Sequence, residues 1–466
     1  MHLDNKSNLD IEYILEKFDK DSISEYRKNY CYTRMCNKYI MPVLIDSIIE
    51  SHNFNDFSDE NVNINLSDFR KCINMAENFG LKGIEYKYYP YIIEPQDISI
   101  SLMLDQLKHE KDLIDTPELI TKIKDLYNKL NFDLDKSSDD VNKSLFNNVE
   151  SVAFETSMYS VNAYTTKVGN EKKGKFKVDI SNAQLHEENF LNVLKDMLYK
   201  NRTYDRYERI SRIINDAIKN KVDIIVMPES CTPFEWLLYI SKISAKNQIA
   251  IITGVEHIKF GNTVYNLTAT ILSYCQGEYR FSHISFHNKV HYSPEESRNI
   301  YGYNLMLKEG NTFELFNWND IWFSVYCCFE LASITERSIF QSYLDMIVGI
   351  EWNRNTNYYS DIIGSLERDL HCYCVQVNSS NYGDSRITKP SKEKYRDIVK
   401  SKGGINETIL IDKIDTYALR NFQIKEYELQ KDDKELFKPT PPNFNRSIVW
   451  KKIKGQLWKD IEDRIK

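Results

Sequence analysis

Apolar positions in the first 133 residues recur at helical spacing, as in Leu9, Tyr13 and Ile14, in Leu66, Phe69, Cys72 and Ile73, and in Leu119, Ile120, Ile123 and Leu126. Thr116 followed by Pro117 has the N-cap and first-turn chemistry of a helix start. A polar run near 133–148 then reads as a linker. From about Lys175 the period changes. Phe176–Ile180, Val222–Met227, Ile249–Gly254, Asn266–Tyr274, Gly277–Ser285, Ile321–Cys327, Met346–Ile350 and Cys372–Asn378 are expected strands. Tyr207–Lys219 and Trp236–Lys246 are expected helices between them. Such alternation predicts an α/β fold whose sheets are covered by helices. The expected organisation is a mainly helical N-terminal region over 1–150, an α/β domain over 170–425 and a peripheral tail over 426–466.

Composition narrows the function classes. At 466 residues the chain exceeds the usual size of one domain. Hydrophobic residues make up 42% and charged ones 28%, enough apolar surface for a large core. A net charge of -7 argues against a nucleic-acid partner and against an anionic membrane surface. Met1–Leu15 has no apolar core of a leader segment, and Tyr39–Ile49, broken by Asp46, is too short to span a bilayer. The nine cysteines are odd in number and irregularly spaced, which suits a reducing compartment, so a cytoplasmic location is expected.

Three segments carry candidate chemistry, each at the end of an apolar run. Asp223–Pro228 ends in Glu229, Phe286-His287-Asn288 precedes Lys289, and Trp322–Cys327 ends at Cys328. A carboxylate partly removed from water suits a general base. A thiol between a strand and a helix start at Glu330–Arg337 would have its thiolate stabilised by the helix N-terminus. Each residue also has a structural explanation: a solvated Glu or Lys at a strand end, or a buried Cys packed as a small hydrophobe. Cys327 competes with Cys328. His283, His287 and His291 share a spacing of four, but Asn288 stands where a zinc protease would carry its Glu, and the segment reads as strand and loop. No metal site is expected.

The order Met227-Pro228-Glu229, His287-Asn288-Lys289 and Tyr326-Cys327-Cys328-Phe329-Glu330 resembles the carbon-nitrogen hydrolase (nitrilase) superfamily. Leu344–Trp352, Glu367-Arg368, Cys374–Asn378, Gly383–Pro390 and Glu407–Asp415 extend the resemblance over about 175–422. It implies an αββα four-layer sandwich, with Cys328 as nucleophile because an aromatic residue and an acid follow it. It also implies Glu229 as base, Lys289 as oxyanion donor and Glu296, seven residues beyond Lys289, as a fourth member. Phe329, Tyr292 and Trp352 would contact the substrate, a small-molecule amide more than a nitrile, and no cofactor is implied. Family habit points to a homo-oligomer of two or more copies, and the N-terminal region is a candidate docking module for a protein partner. The rival reading is a catalytically silent, nitrilase-like binding or regulatory protein. Three departures stand out: a long span from Gln184 to Tyr207 near the expected active-site rim, Cys327 before the nucleophile, and Ser365 in place of an alanine.

Overall fold

The computed structural model describes residues 95–464 apart from 109–111, 114–115, 132–147, 156–160, 277–278, 406 and 434–436. The helical spacings around Leu9–Ile14 and Leu66–Ile73 and most of the polar linker lie outside the described residues. Two sheets dominate. The first has six strands in the order β17 (Thr408–Asp415), β3 (Lys175–Asn182), β4 (Ile224–Val226), β5 (Ala250–Gly254), β8 (Leu267–Gln276) and β9 (Tyr279–Asn288). The second has eight: β1 (Val149–Phe154), β2 (Asn162–Val168), β11 (Thr312–Trp318), β12 (Ile321–Cys327), β13 (Met346–Glu351), β14 (Tyr373–Asn378), β15 (Arg386–Thr388) and β16 (Asp397–Lys400). A small third sheet joins β6 (Ile258–Phe260), β7 (Thr263–Tyr265) and β10 (Met306–Leu307).

Central strands such as β4, Ile-Ile-Val, are apolar throughout because both faces are covered. Alternate residues go to opposite sides. Phe176, Val178, Ile224, Val226 and Ile252 join Phe313, Phe323, Val325 and Val348 in one core between the two large sheets. Ile225, Met227, Ile251 and Ile284 instead pack under helices. Those helices are α1 (Pro95–Lys108) through Ile100, Met103 and Leu107, α4 (Tyr204–Lys219) through Ile213 and Ala217, and α5 (Leu237–Asn247) through Leu237 and Ile240. Each fully buried Ile or Leu stabilises the fold by about 1.5–3 kcal/mol. Thr203 caps α4 by accepting a hydrogen bond from the Arg206 N–H. On the eight-stranded side, α2 (Thr116–Asn131) packs against β1, and α7 (Thr356–Asp369) against β14 and the turn after β12. The result is an α/β fold of four layers, helices on two face-to-face sheets. Between these elements lie the shorter α3 (Glu187–Leu194) and α6 (Pro294–Gly302). No described helix is long and apolar enough to cross a membrane.

The expected division of the chain shifts at both ends. Val149–Phe154 and Asn162–Val168 form β1 and β2, and β2 pairs in parallel with β11, so the eight-stranded sheet begins upstream of the expected start near 170. β1, Val-Glu-Ser-Val-Ala-Phe, lies at the sheet edge with β2, Asn-Ala-Tyr-Thr-Thr-Lys-Val, beside it, and neither has the strict apolar alternation that announces a strand. α2 does start at Thr116, and Ser99 of α1 donates to the Ile284 carbonyl at 3.1 Å. The segment after 426 also departs from a peripheral tail. α8 (Thr416–Gln423) and α9 (Arg446–Ile453) bring Arg420 and Lys452 to the buried Asp345, which precedes β13.

Candidate active site

β4 and β9 run in the same direction within their sheet, and β12, β13 and β14 run parallel in theirs. Glu229, Lys289, Cys328 and Trp352 follow the C-terminal ends of β4, β9, β12 and β13 respectively. Glu229 approaches β5 so closely that a Cβ on Gly254 would lie 2.3 Å from the Glu229 Cα, which requires glycine there. The Glu229 Oε1 accepts from Lys289 Nζ at 2.7 Å and Asn266 Nδ2 at 2.8 Å, and Oε2 accepts from the Trp352 N–H at 3.1 Å.

Lys289 is 1% exposed and bridges two carboxylates, its Nζ lying 2.7 Å from both Glu229 and Glu296. Glu296 sits in the first turn of α6, capped by Ser293, which accepts from the Glu296 N–H at 3.2 Å. Its Oε1 takes bonds from Asn266 Nδ2 at 2.7 Å and meets His257 Nε2 at 2.8 Å. His257 is in turn 3.2 Å from the Ser230 hydroxyl. Burial opposes the ammonium, but the two carboxylates outweigh it and hold the Lys289 pKa well above the lysine range. Burial likewise opposes the Glu296 carboxylate, but Lys289 and His257 together outweigh it, so Glu296 ionises well below the usual carboxylate range.

Cys328 takes a left-handed conformation, φ +48°, which few L-residues adopt without compensation. Cys327 beside it is extended, closes β12 and pairs with Ile350. Both cysteines feel the charges of Glu229 and Lys289, so backbone conformation is what separates them. The helix expected at Glu330–Arg337 is instead a short 3-10 turn, Cys328–Ala332, then one helical turn, Ile334–Arg337, broken by the extended Ser333. So short a helix offers little dipole to a thiolate. Burial and then Glu229 push the Cys328 thiol well above its ordinary range, with Lys289 opposing. Glu330 staples the two halves of the site: its carboxylate accepts the Cys327 and Val290 N–H groups, each at 2.6 Å, and contacts His287 Nε2 at 2.8 Å.

The remaining expected residues divide. Phe329 is half-buried beside Cys328, and Trp352 turns its N–H to Glu229 while its indole meets Phe190 of α3 edge-on at 6.4 Å. The Tyr292 hydroxyl accepts the Asn266 N–H at 2.9 Å and donates to the Lys308 carbonyl at 3.1 Å, with its ring 5.5 Å from Lys289 Nζ. That phenol braces the site. Glu295 is exposed and Glu296 inside, which favours the latter. The three histidines separate: His283 is buried, with burial lowering its pKa to about 4, His287 is bound to Glu330, and His291 lies 3.5 Å from Glu336. Among the described residues no group of three His, Cys, Asp or Glu side chains could hold a metal ion. Within the long Gln184–Tyr207 span, Phe190 packs on His257 at 4.4 Å, and Arg202 binds the buried Glu256 at 2.6 Å and Glu235 at 2.8 Å.

Sequence reasoning passed over Asn266, His257, Glu351 and Tyr359. Glu351 is fully buried at the end of β13, with both oxygens accepting from Gln376 Nε2 at 3.1 and 3.0 Å. Burial pushes its pKa up to about 8. The Tyr359 hydroxyl of α7 lies 3.7 Å from the Cys328 sulfur. The one available signal was the acid at Glu351, closing an otherwise apolar strand.

The chain is similar to solved structures of the nitrilase superfamily. Nit3 of Saccharomyces cerevisiae, a member of branch 10 of that superfamily, is 15% identical over 55% of this chain and 96% of its own, with a TM-score of 0.40. A CN-hydrolase superfamily protein from Xanthomonas campestris is 12% identical over 56% and 97%, with a TM-score of 0.39. An amidase from Nesterenkonia sp. is 11% identical over 57% and 98%, with a TM-score of 0.38. A scan of family models and a search of curated proteins return no match.

Proposed function

We propose that the protein hydrolyses a carbon-nitrogen bond of a small, non-peptide amide through a thioester on Cys328. The observation that carries this reading is the buried Lys289 held between Glu229 and Glu296 at 2.7 Å, at the strand ends that also present Cys328. Glu229 accepts the thiol proton, and the sulfur attacks the carbonyl carbon. Lys289 uses two of its three N–H bonds on the carboxylates and keeps one for the developing oxyanion, alongside the Phe329 N–H. Glu229 passes the proton to the leaving amine, then activates water to cleave the thioester and release Cys328. A site whose reactive groups are almost wholly buried favours a small substrate over a polypeptide.

The test is turnover of a panel of small amides with intact-mass detection of an acyl adduct mapped to Cys328. Cys328→Ala is expected to lose both adduct and turnover, and Cys327→Ala to keep both. An adduct on Cys327, or unchanged turnover in Cys328→Ala, overturns the assignment. Absence of any adduct or turnover across the panel favours the silent binding reading.

A further inference from the structure

The carboxyls of Glu229 and Glu351 both disfavour a negative sulfur at Cys328. Lys289 acts the other way, but two of its N–H bonds are already committed to Glu229 and Glu296. Tyr359 supplies a further donor. It is 2% exposed, carried on α7 where that helix packs against the turn holding Cys328, and its hydroxyl lies 3.7 Å from the sulfur, within reach for a hydrogen bond to so large an atom. A thiolate has no hydrogen to offer, so once the sulfur ionises the phenol must donate. Burial and the nearby Cys328 also push the Tyr359 hydroxyl well above its ordinary range, which keeps that proton in place.

We propose that Tyr359 is a further catalytic residue, whose hydroxyl donates to the Cys328 sulfur and steadies the thiolate before attack and again as the thioester collapses. The proton lost by the thiol goes to Glu229, and the tyrosine keeps its own. The left-handed turn at Cys328 and the packing of α7 fix the two partners, so no rearrangement is needed to make the bond. This inference rests on Cys328 being the nucleophile, and its test is read on the thiol itself.

The experiment follows alkylation of Cys328 by iodoacetamide from neutral to alkaline pH, located by peptide mass, in wild type, Tyr359→Phe and Tyr358→Phe. Tyr358 is the half-exposed neighbour and serves as control. Loss of one hydrogen bond to a charged sulfur is expected to slow alkylation of Tyr359→Phe at neutral pH by about 3- to 10-fold and to move its midpoint to higher pH. Tyr358→Phe should match wild type. Thermal melting checks the fold, and Tyr359→Met removes the same hydroxyl should the phenylalanine variant not fold. An unchanged rate and midpoint in a folded Tyr359 variant overturns the proposal and leaves Cys328 as nucleophile. If wild-type Cys328 resists the reagent while the exposed Cys275 is alkylated, the nucleophile reading itself fails.

Discussion

Two buried lysines, both bonded to carboxylates, are driven in opposite directions. Lys289 stands between Glu229 and Glu296, whose charges outweigh burial and hold its pKa well above the lysine range. Lys452 is as deeply buried and lies 2.8 Å from Asp345, yet burial lowers its pKa, and Arg420 on the same carboxylate adds to that. The first cluster sets two carboxylates on one lysine; in the second, Lys452 and Arg420 share the buried Asp345, and Arg420 alone also binds the half-buried Asp320. Two carboxylates on one lysine leave one of them able to take up a proton, which the proposed role of Glu229 requires. One buried carboxylate shared by two cations offers no such group. Asp345 accepts from Arg420 Nε at 3.0 Å, Arg420 Nη2 at 2.6 Å, Lys452 and the Trp322 N–H at 3.0 Å, so its oxygens are fully engaged in holding the C-terminal helices to the entry ends of β12 and β13. Burial and ion pairing alone do not mark a site. What does, on the proposed reading, is a lysine held by two carboxylates together with the left-handed Cys328 at the same strand ends.

The sharpest way to break the comparison is to neutralise one acid in each cluster. Glu229→Gln should lower turnover of an amide substrate by roughly 10²- to 10⁴-fold, the range for a lost general base, with little change in melting temperature. Asp345→Ala strands the buried Lys452 and leaves Arg420 only Asp320, and should cost about 3–5 kcal/mol in urea unfolding, with turnover per folded molecule unchanged. If Asp345→Ala loses activity without losing stability, the division between the clusters is wrong.

Removing the cations tests the same point from the other side. Lys289→Met leaves two carboxylates facing each other and should both abolish turnover and destabilise by about 3 kcal/mol, a cost that shrinks in acid as a carboxylate takes up a proton. Lys452→Met leaves Asp345 still paired with Arg420, so its cost should be smaller, about 1–2 kcal/mol. Because the folded pKa of Lys452 lies below its unfolded value, the folded state binds fewer protons just below the lysine range. Wild type should therefore gain stability over Lys452→Met as pH rises through that window. Urea midpoints of both proteins across alkaline pH measure this, and a gap that closes instead would reverse the assigned sign.

How far each cluster was legible follows from its chemistry. Glu229, Lys289 and Cys328 each close an apolar run, so local pattern and order along the chain exposed them before any contact was known. Asp345 also precedes an apolar run, but its partners Arg420 and Lys452 are 75 and 107 residues downstream, the second in the stretch that reads as a peripheral tail. Nothing local marks them as buried. Tyr359 is one of two adjacent tyrosines on a helix, and only the packing of α7 decides which one faces the sulfur. An α/β fold with helix-covered sheets was readable from strand and helix alternation, and its four layers only from the resemblance. The edge strand β1 and its neighbour β2 were not, because their threonines, lysine and glutamate are compatible equally with a surface loop.

The smallest expected effect concerns the charge surplus itself. With Glu351 neutral, the cluster around Cys328 carries one excess negative charge; with Glu351 ionised it would carry two and oppose the thiolate further. Burial raises the Glu351 pKa from 4.5 to about 8, so between those values the folded protein holds a proton that the unfolded chain has released. Stability of wild type relative to Glu351→Gln should therefore fall as pH rises from 4.5 to 8 and stay level beyond. Asp179, Glu314 and Glu367 carry shifts of the same sign, to about 8, 7 and 8, but they are present in both proteins and cancel in the difference. Urea midpoints of the pair at matched pH measure it. A level difference across the whole window would mean that Glu351 is ionised in the folded state, and Tyr359 and Lys289 would then face a doubled negative surplus around the sulfur.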